Sequence, residues 1–254
     1  QTGDAPRAIA TLEQNLEIAV RNGFTRMTAI SLINLAELHR QTGSFDRALE
    51  EIRRGMEVSQ AAGFAIFEAH AHGIAGKLFM QQGEVSRALA AMQTALALAE
   101  GVGSLVTATQ ILLDLGQMHC DLHDRAAART VFEQCVQVAA ASDIKSDLSI
   151  AHRQLAELCE EEGDAAGALA HWKQHQAIKE FVAGEKAEQR LQVLQVTHDT
   201  AAARKEAELA RQHTSEVRAL NEQLEQQVLR RTAELTDTVA LLQAEITARE
   251  AAEA

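Results

Sequence analysis

Two histidine-containing segments have the residue types and the spacing that could bind a metal ion. In the segment His119-Cys120-Asp121-Leu122-His123, two histidines four residues apart share one helical face, and cysteine is a further ligand for zinc. His171 and His175 have the same spacing. The chain has a forty-residue repeat that places a mixed set of residues at the position of His119, namely His39, Phe79 and Cys159. Because phenylalanine cannot bind a metal, we interpret His119 as a packing residue. The neighbouring core position of Trp172 favours the same interpretation for His171 and His175, and we predict no metal site.

No other motif indicates catalysis. Glu160, Glu161 and Glu162 could include a general acid, but no nucleophile accompanies them, and a solvent-exposed acidic helix end is the simpler interpretation. The chain contains no glycine-rich phosphate loop, nucleophile elbow or paired CxxC motif. We therefore predict that this chain is not an enzyme and binds no cofactor.

Charge and cysteine content limit the partners and the compartment. The chain of 254 residues has a formal net charge of −12, which argues against nucleic-acid binding. Its cysteines are three in number and have no paired spacing, so reduced thiols and a cytoplasmic location are expected. No apolar run reaches the roughly 18 to 20 residues that a membrane helix needs, and we predict no membrane association.

Helix-breaking residues recur every forty residues, in two series offset by twenty. The first series is Gly3, Gly43, Gly83, His123 and Gly163, and the second is Gly23, Gly63, Gly103, Asp143 and Ala183-Gly184. Tyrosine is absent, there is one proline, and alanine, leucine, glutamate and glutamine dominate, so the segments between the breaks are predicted helices. The result is an all-α ladder: one helix at 4–22, then helix pairs at 24–62, 64–102, 104–142 and 144–182.

Matched positions of the repeat carry residues of matched size. A small residue precedes each turn of the first series by seven: Ala36, Gly76, Gly116 and Ala156. A large apolar residue lies nine positions after each turn: Leu12, Ile52, Met92, Phe132 and Trp172. Small residues let paired helices approach closely, and we expect the large ones to fill the space between them.

These units resemble the tetratricopeptide repeat (TPR). The turns Gly43-Ser44-Phe45-Asp46-Arg47-Ala48 and Gly83-Glu84-Val85-Ser86-Arg87-Ala88 are similar to the glycine, aromatic and alanine pattern of that family. The period of forty exceeds the family's usual 34, the closing proline is missing, and HEAT-like repeats share the longer period. The resemblance covers residues 1–183, about four and a half units, and implies a TPR-like solenoid domain that binds a peptide or protein on its concave face.

In TPR proteins the first helix of each pair lines the concave face. Carried over to this chain, the resemblance implies a partner-binding surface of Ile30, Ile33, Asn34, Glu37, Arg40, Gln41, His70, Lys77, Gln81, Gln110, Gln117, Asp121, Arg153 and Glu157. A solvated groove without a ligand remains the alternative.

Residues 184–254 form a second predicted domain, a single long helix. After Gly184 neither glycine nor proline occurs, and an apolar stripe runs along the segment. The stripe predicts a dimer interface of Leu191, Leu194, Val217, Leu220, Leu224, Val228, Leu235, Val239, Leu242 and Ile246. We expect a parallel coiled coil. Its spacing, which mixes eleven-residue and seven-residue repeats, favours one that is nearly straight in part.

The segment from Leu224 to Glu253 resembles the signalling helix of bacterial sensor proteins, which precedes diguanylate cyclase or histidine kinase domains. That resemblance implies the sensory and dimerising region of a longer bacterial signalling protein with an output domain after Ala254. Two other hypotheses stay open: a constitutive protein-interaction scaffold, and a peptide-responsive regulator of transcription.

Overall fold

The computed structural model describes residues 5–253, with side chains placed from residue 5 to residue 242. Every regular element within that range is an α-helix, which confirms the all-α prediction. The helices are α1 (Ala5–Arg21), α2 (Thr25–Gln41), α3 (Phe45–Ala61), α4 (Ala65–Gln81), α5 (Val85–Gly101), α6 (Leu105–Asp121), α7 (Arg125–Ala141), α8 (Lys145–Glu162) and α9 (Ala165–Glu253).

The turns between these helices have the same backbone geometry at the residue that the repeat singles out. The glycines at 23, 43, 63, 83, 103 and 163 all have positive φ, between 68° and 79°. His123 and Asp143 occupy the same left-handed conformation, with φ of 58° and 54°. At His123 the Asp124 amide donates to the His119 carbonyl oxygen over 2.9 Å, which ends α6 as the glycine turns end their helices.

The first helices of the pairs form an inner layer, which we define as α2, α4, α6 and α8. Their backbones approach one another from each unit to the next, whereas no such approach joins α1, α3, α5 and α7 in the part of the chain that the structure describes. A stack of helix pairs whose first helices lie closer together curves toward them, so the inner layer lies on the concave side.

The matched small and large residues form the core. Ala36 and Ala156 are fully buried. Met92, which packs against Gly76, and Phe132, which packs against Gly116, are fully buried as well. The fit is tighter at Gly116 than at Gly76: an added Cβ at Gly116 would meet the Phe132 ring, with Cδ1 only 2.7 Å away. The predicted packing of small against large residues is therefore present, and one aromatic ring occupies the space left by a missing side chain.

The break expected at Ala183-Gly184 is wrong. Helix α9 is continuous from Ala165 to Glu253 and passes through Gly184. A glycine inside a helix costs only about 1 kcal/mol relative to alanine, and the good helix formers on both sides outweigh that cost. Gly184 is the last residue of the first of two compact units; the second is Glu185–Ala254.

The second unit is one helical segment whose described side chains, residues 185–242, are all exposed. Its apolar residues are interspersed with charged and polar ones. Over the described residues, no helix has both the length and the apolar composition needed to cross a membrane.

Candidate partner-binding groove

A row of four residues at one repeat position runs across the inner layer. Glu37, Lys77, Gln117 and Glu157 lie forty residues apart on α2, α4, α6 and α8. We call them the groove row. Glu37, Lys77 and Glu157 are half-buried and Gln117 is exposed, so the row is accessible from the concave side.

At the α2 end, Glu37 and Arg40 form a close ion pair that is largely shielded from water. Arg40 Nε and Nη2 donate to the two carboxylate oxygens of Glu37 over 2.9 and 2.7 Å, and Gln41 Nε2 donates to the same carboxylate over 2.7 Å. Burial raises the pKa of Glu37, but the Arg40 hydrogen bond, the charge of Lys77 and the Gln41 amide outweigh it, and that pKa is lowered. The Glu37 hydrogen bond raises the pKa of Arg40. Both groups are therefore charged at neutral pH.

Two bridges connect the groove row to the next unit. Lys77 Nζ lies 3.1 Å from Asp114 Oδ2, and Gln154 Nε2 donates to Gln117 Oε1 over 3.3 Å. Asp114 and Gln154 each lie on the inner helix that follows their partner's helix, at the repeat position of Asn34. Each of these contacts connects two successive inner helices.

Asp114 and Gln154 are groove residues that sequence reasoning missed. The available signal was the repeat itself, because successive steps of forty residues from Asn34 lead to Ile74, Asp114 and Gln154. Ile74 is buried, so the polar series is interrupted at that unit.

The structure divides the remaining predicted groove residues into three groups. The exposed ones are Asn34, Gln41, Gln81, Gln110 and Asp121, and the half-buried ones are Ile30, His70 and Arg153. Ile33 is 9% exposed and lies in the core, where a Cβ added at Gly55 of α3 would be 3.6 Å from Ile33 Cγ1. Its assignment to the binding surface is therefore corrected, because α2 turns that side chain toward its paired helix.

The α8 end of the groove is acidic. Burial and the charges of Glu161, Asp121 and Glu157 raise the pKa of the Cys120 thiol, so Cys120 is protonated at neutral pH. On α4, burial and the charge of Lys77 lower the pKa of His70 and keep its ring neutral.

The histidines singled out in the sequence take part in packing. His39, at the repeat position of His119, is 3% exposed. His171 Nδ1 lies 3.0 Å from His152 Nδ1, and His175 Nδ1 lies 2.9 Å from the Ser149 hydroxyl, so both histidines join the start of α9 to α8. Burial is the main cause that lowers the pKa of His152 and of His171. No three histidine, cysteine or carboxylate side chains converge on a metal-sized site within the described residues.

The predicted dimer stripe is exposed along its whole described length. Leu191, Leu194, Val217, Leu220, Leu224, Val228, Leu235, Val239 and Leu242 have exposed fractions between 44% and 65%. The side chain of Ile246 lies outside the described residues.

A family model described as anaphase-promoting complex subunit 5 matches residues 1–66 and 80–162, more than half of the chain. The chain belongs to this family. No curated protein matches the sequence of this member of the anaphase-promoting complex subunit 5 family.

Solved structures share the fold of this family member at low sequence identity. BtubC (BKLC) from P. vanneervenii has a TM-score of 0.61 at 17% identity, covering 71% of this chain and 75% of that protein. Aspartyl phosphate phosphatase F from Bacillus subtilis has a TM-score of 0.59 at 15% identity over 70% of this chain, which spans 50% of the phosphatase. A putative kinesin light chain from Podospora anserina with nearly identical TPR-like repeats gives 0.54 at 16% identity, covering 72% and 90%. The predicted TPR-like solenoid is confirmed.

Proposed function

We propose that this chain is the sensory and dimerising region of a cytoplasmic signalling protein. The TPR-like unit binds an extended segment of a peptide or protein in the groove of α2, α4, α6 and α8. The C-terminal helix pairs with a second copy as a parallel coiled coil. Through this coil, ligand binding in the groove changes the activity of an output domain. The resemblance of the helix to signalling helices favours a diguanylate cyclase or a histidine kinase as that domain.

The observation that carries the binding proposal is a set of exposed amide side chains beside a groove row that is already cross-linked. Asn34, Gln81 and Gln110 are exposed, and none of them hydrogen-bonds to another group of the described chain. Each amide offers both donors and an acceptor, which is the combination that the backbone of an extended peptide requires. The charged groups of Glu37, Arg40 and Lys77 have partners already and hold the groove in shape.

The relay rests on the apolar stripe of the C-terminal helix. An exposed stripe of that length is stabilised when a second helix covers it, and signalling proteins use such coils to hold two output domains together. A ligand changes the output only if it binds one of two coil arrangements more tightly, by a few kcal/mol.

The groove is tested with a displayed library of random linear peptides selected on the full chain. We expect enriched peptides to bind saturably and the double variant Asn34→Ala, Gln110→Ala to weaken their binding roughly tenfold, because two hydrogen bonds of about 0.5–1.5 kcal/mol are lost. Dissociation constants are measured by fluorescence anisotropy with the synthetic peptide.

Gln93→Ala is the matched control, since Gln93 is an equally exposed amide on α5, outside the inner layer. The proposal fails if no peptide binds saturably, or if the double variant binds the enriched peptides as well as the control does.

A further inference from the structure

A second surface lies along the turns that lead into the inner helices. We call it the apolar edge and define it as Phe24, Met27, Phe64, Ile66, Phe67, Val102, Leu105 and Val106. Six of these eight side chains are between 40% and 55% exposed, and the remaining two, Phe64 and Phe67, are half-buried. Large apolar side chains grouped in this way on three successive turns indicate an interaction site.

The apolar edge is continuous across the three turns. A cavity of about 350 Å³ is lined by Arg26 from the first turn, by residues 63–67 from the second and by Val102 from the third. The rings of Phe64 and Phe67 meet edge to face within it, with their centroids 5.6 Å apart. The cavity is large enough to receive a large side chain of a partner.

The apolar edge ends at the fourth turn. The residues there, 142–147, have the sequence Ser-Asp-Ile-Lys-Ser-Asp. The turns of the opposite edge are polar as well, with Gln82 and Glu84 in one and His123 and Asp124 in another. Among the turns of the repeat, exposed large apolar side chains are therefore concentrated on these three.

Arg26 supplies the positive charge of this surface. Its Cζ lies 5.8 Å from the centroid of the Phe67 ring, and no carboxylate pairs with it among the residues that the structure describes. Several other arginines of the repeats have carboxylate partners, for example Arg40 with Glu37 and Arg129 with Glu162. A partner that placed a carboxylate here would form the missing ion pair beside an apolar contact.

Three polar side chains next to the apolar edge hydrogen-bond within their own turns. The Thr28 hydroxyl donates to the Phe24 carbonyl oxygen over 3.1 Å, the Ser104 hydroxyl donates to Thr107 Oγ1 over 2.8 Å, and the Asn22 amide donates to the Ile18 carbonyl oxygen over 2.8 Å. A helix satisfies its own backbone groups and needs few hydrogen bonds from this surface, whereas an extended peptide needs them along its whole length.

The spacing also fits a helix. Neighbouring packed helices lie about 8–10 Å apart, and a helix advances roughly 10.5 Å in seven residues, so side chains at i, i+7 and i+14 meet successive turns. An extended strand covers that distance in about three residues and then presents the opposite face.

We propose that the apolar edge binds an amphipathic helix of a protein partner, with apolar residues at heptad spacing and a carboxylate that pairs with Arg26. This site is separate from the concave groove and has different chemistry: apolar contacts and one ion pair rather than amide hydrogen bonds.

The experiment selects a displayed library of single helices, with apolar residues fixed at heptad spacing and all other positions varied, on the full chain. We expect an aspartate or glutamate to be enriched beside one apolar position. Binding of the synthesised helix should fall at least tenfold with Ile66→Glu and with Val106→Glu. It should fall severalfold with Arg26→Glu and recover when the enriched carboxylate of the helix is changed to lysine.

Leu169→Glu is the matched control, because Leu169 is 56% exposed and lies at the start of α9, outside the apolar edge. Thermal melts by circular dichroism show that each variant is folded. Failure to enrich any helix, or equal binding by Ile66→Glu and Leu169→Glu, overturns the proposal.

Three other outcomes also overturn it by naming a different occupant. A lower solution mass for Ile66→Glu than for the wild type would assign the surface to a second copy of this chain. Binding of the wild type, but not of Ile66→Glu, to anionic phospholipid vesicles would assign it to a lipid surface. Selection of proline-rich peptides that require Ile66 would assign it to extended ligands.

Discussion

His123 and Asp143 are the two residues among those described that adopt the left-handed conformation without being glycine. For an ordinary L-residue this conformation costs roughly 1–2 kcal/mol, because Cβ approaches the following carbonyl oxygen. We expect His123→Gly to raise the free energy of unfolding by about 1 kcal/mol, which corresponds to a melting-temperature increase of roughly 2–4 °C for a chain of this size. Chemical denaturation measures the change in free energy of unfolding, and thermal denaturation measures the change in melting temperature.

Asp143→Gly is the comparison for that substitution. Aspartate tolerates the left-handed conformation better than most residues, and the Asp143 carboxylate also lies 3.4 Å from Lys145 Nζ. The gain at position 143 should therefore be smaller than at 123. A His123→Gly protein that is no more stable than the wild type would contradict the argument from backbone strain.

Single residues explain why the turns were predictable and the groove bridges were not. A turn needs one residue in the left-handed conformation, and that residue is usually glycine. The regular spacing identified this position even at His123 and Asp143, where another residue replaces glycine. The Lys77 to Asp114 bridge depends on two side chains that meet only when successive units pack. Ile33 was misassigned for the related reason that one step along a helix turns a side chain by about 100°, toward the paired helix.

At the scale of the helix pair, Gly116 sets the distance between α6 and α7. The ring of Phe132 occupies the space where a Cβ would lie, so Gly116→Ala must move the ring or separate the helices. We expect Gly116→Ala to lower the free energy of unfolding by about 1–3 kcal/mol, the usual cost of overpacking, as measured by urea denaturation.

Phe132→Leu tests whether that ring is the cause. Alone it should destabilise the protein by leaving a void, but combined with Gly116→Ala it should cost less than the sum of the two single changes. If the two free-energy changes simply add, the methyl group of the new alanine clashes with a residue other than Phe132. Gly76→Ala should be milder than Gly116→Ala, because an added Cβ at Gly76 would lie 2.9 Å from Met92 Cγ and 3.1 Å from the Ala88 carbonyl oxygen, farther than the Phe132 ring lies from a Cβ at Gly116.

Helix α9 shows the limit of predicting elements from breaks alone. Gly163 has a φ of 78° and ends α8, whereas Gly184 lies inside a helix. The two glycines differ in the segment that comes after each of them. After Gly163 a new helix returns to the core and buries Ala168, while the described side chains after Gly184 are all exposed. A glycine forms a turn only where the next segment gains by reversing direction.

For the molecule as a whole, the periodicity of the sequence sufficed to predict the solenoid, because its turns and its small-against-large packing are local and recur every forty residues. The occupants of its surfaces depend on partners, which no local rule identifies. The groove, the apolar edge and the stripe of the C-terminal helix differ in chemistry: amides and ion pairs in the first, one cation among apolar residues in the second, and aliphatic side chains in the third. Three such surfaces on one chain favour a protein that gathers other molecules.

The stripe gives the sharpest prediction for the assembled protein, because a parallel coil places each residue opposite its own copy. In a Cys120→Ser background, we expect Val217→Cys and Val239→Cys each to form disulfide-linked dimers under mild oxidation, since Cα atoms facing across such a seam come within the roughly 4.4–6.8 Å that a disulfide spans. Leu229→Cys is the control: Leu229 is 71% exposed but lies about 100° around the helix from Val228 and outside the stripe. Non-reducing gels measure the cross-linked fraction. An antiparallel coil can bring only one position opposite its own copy. Cross-linking that occurs only when the Val217→Cys and Val239→Cys proteins are mixed would therefore contradict the parallel arrangement. Equal cross-linking of Leu229→Cys would contradict the assignment of the stripe as the interface.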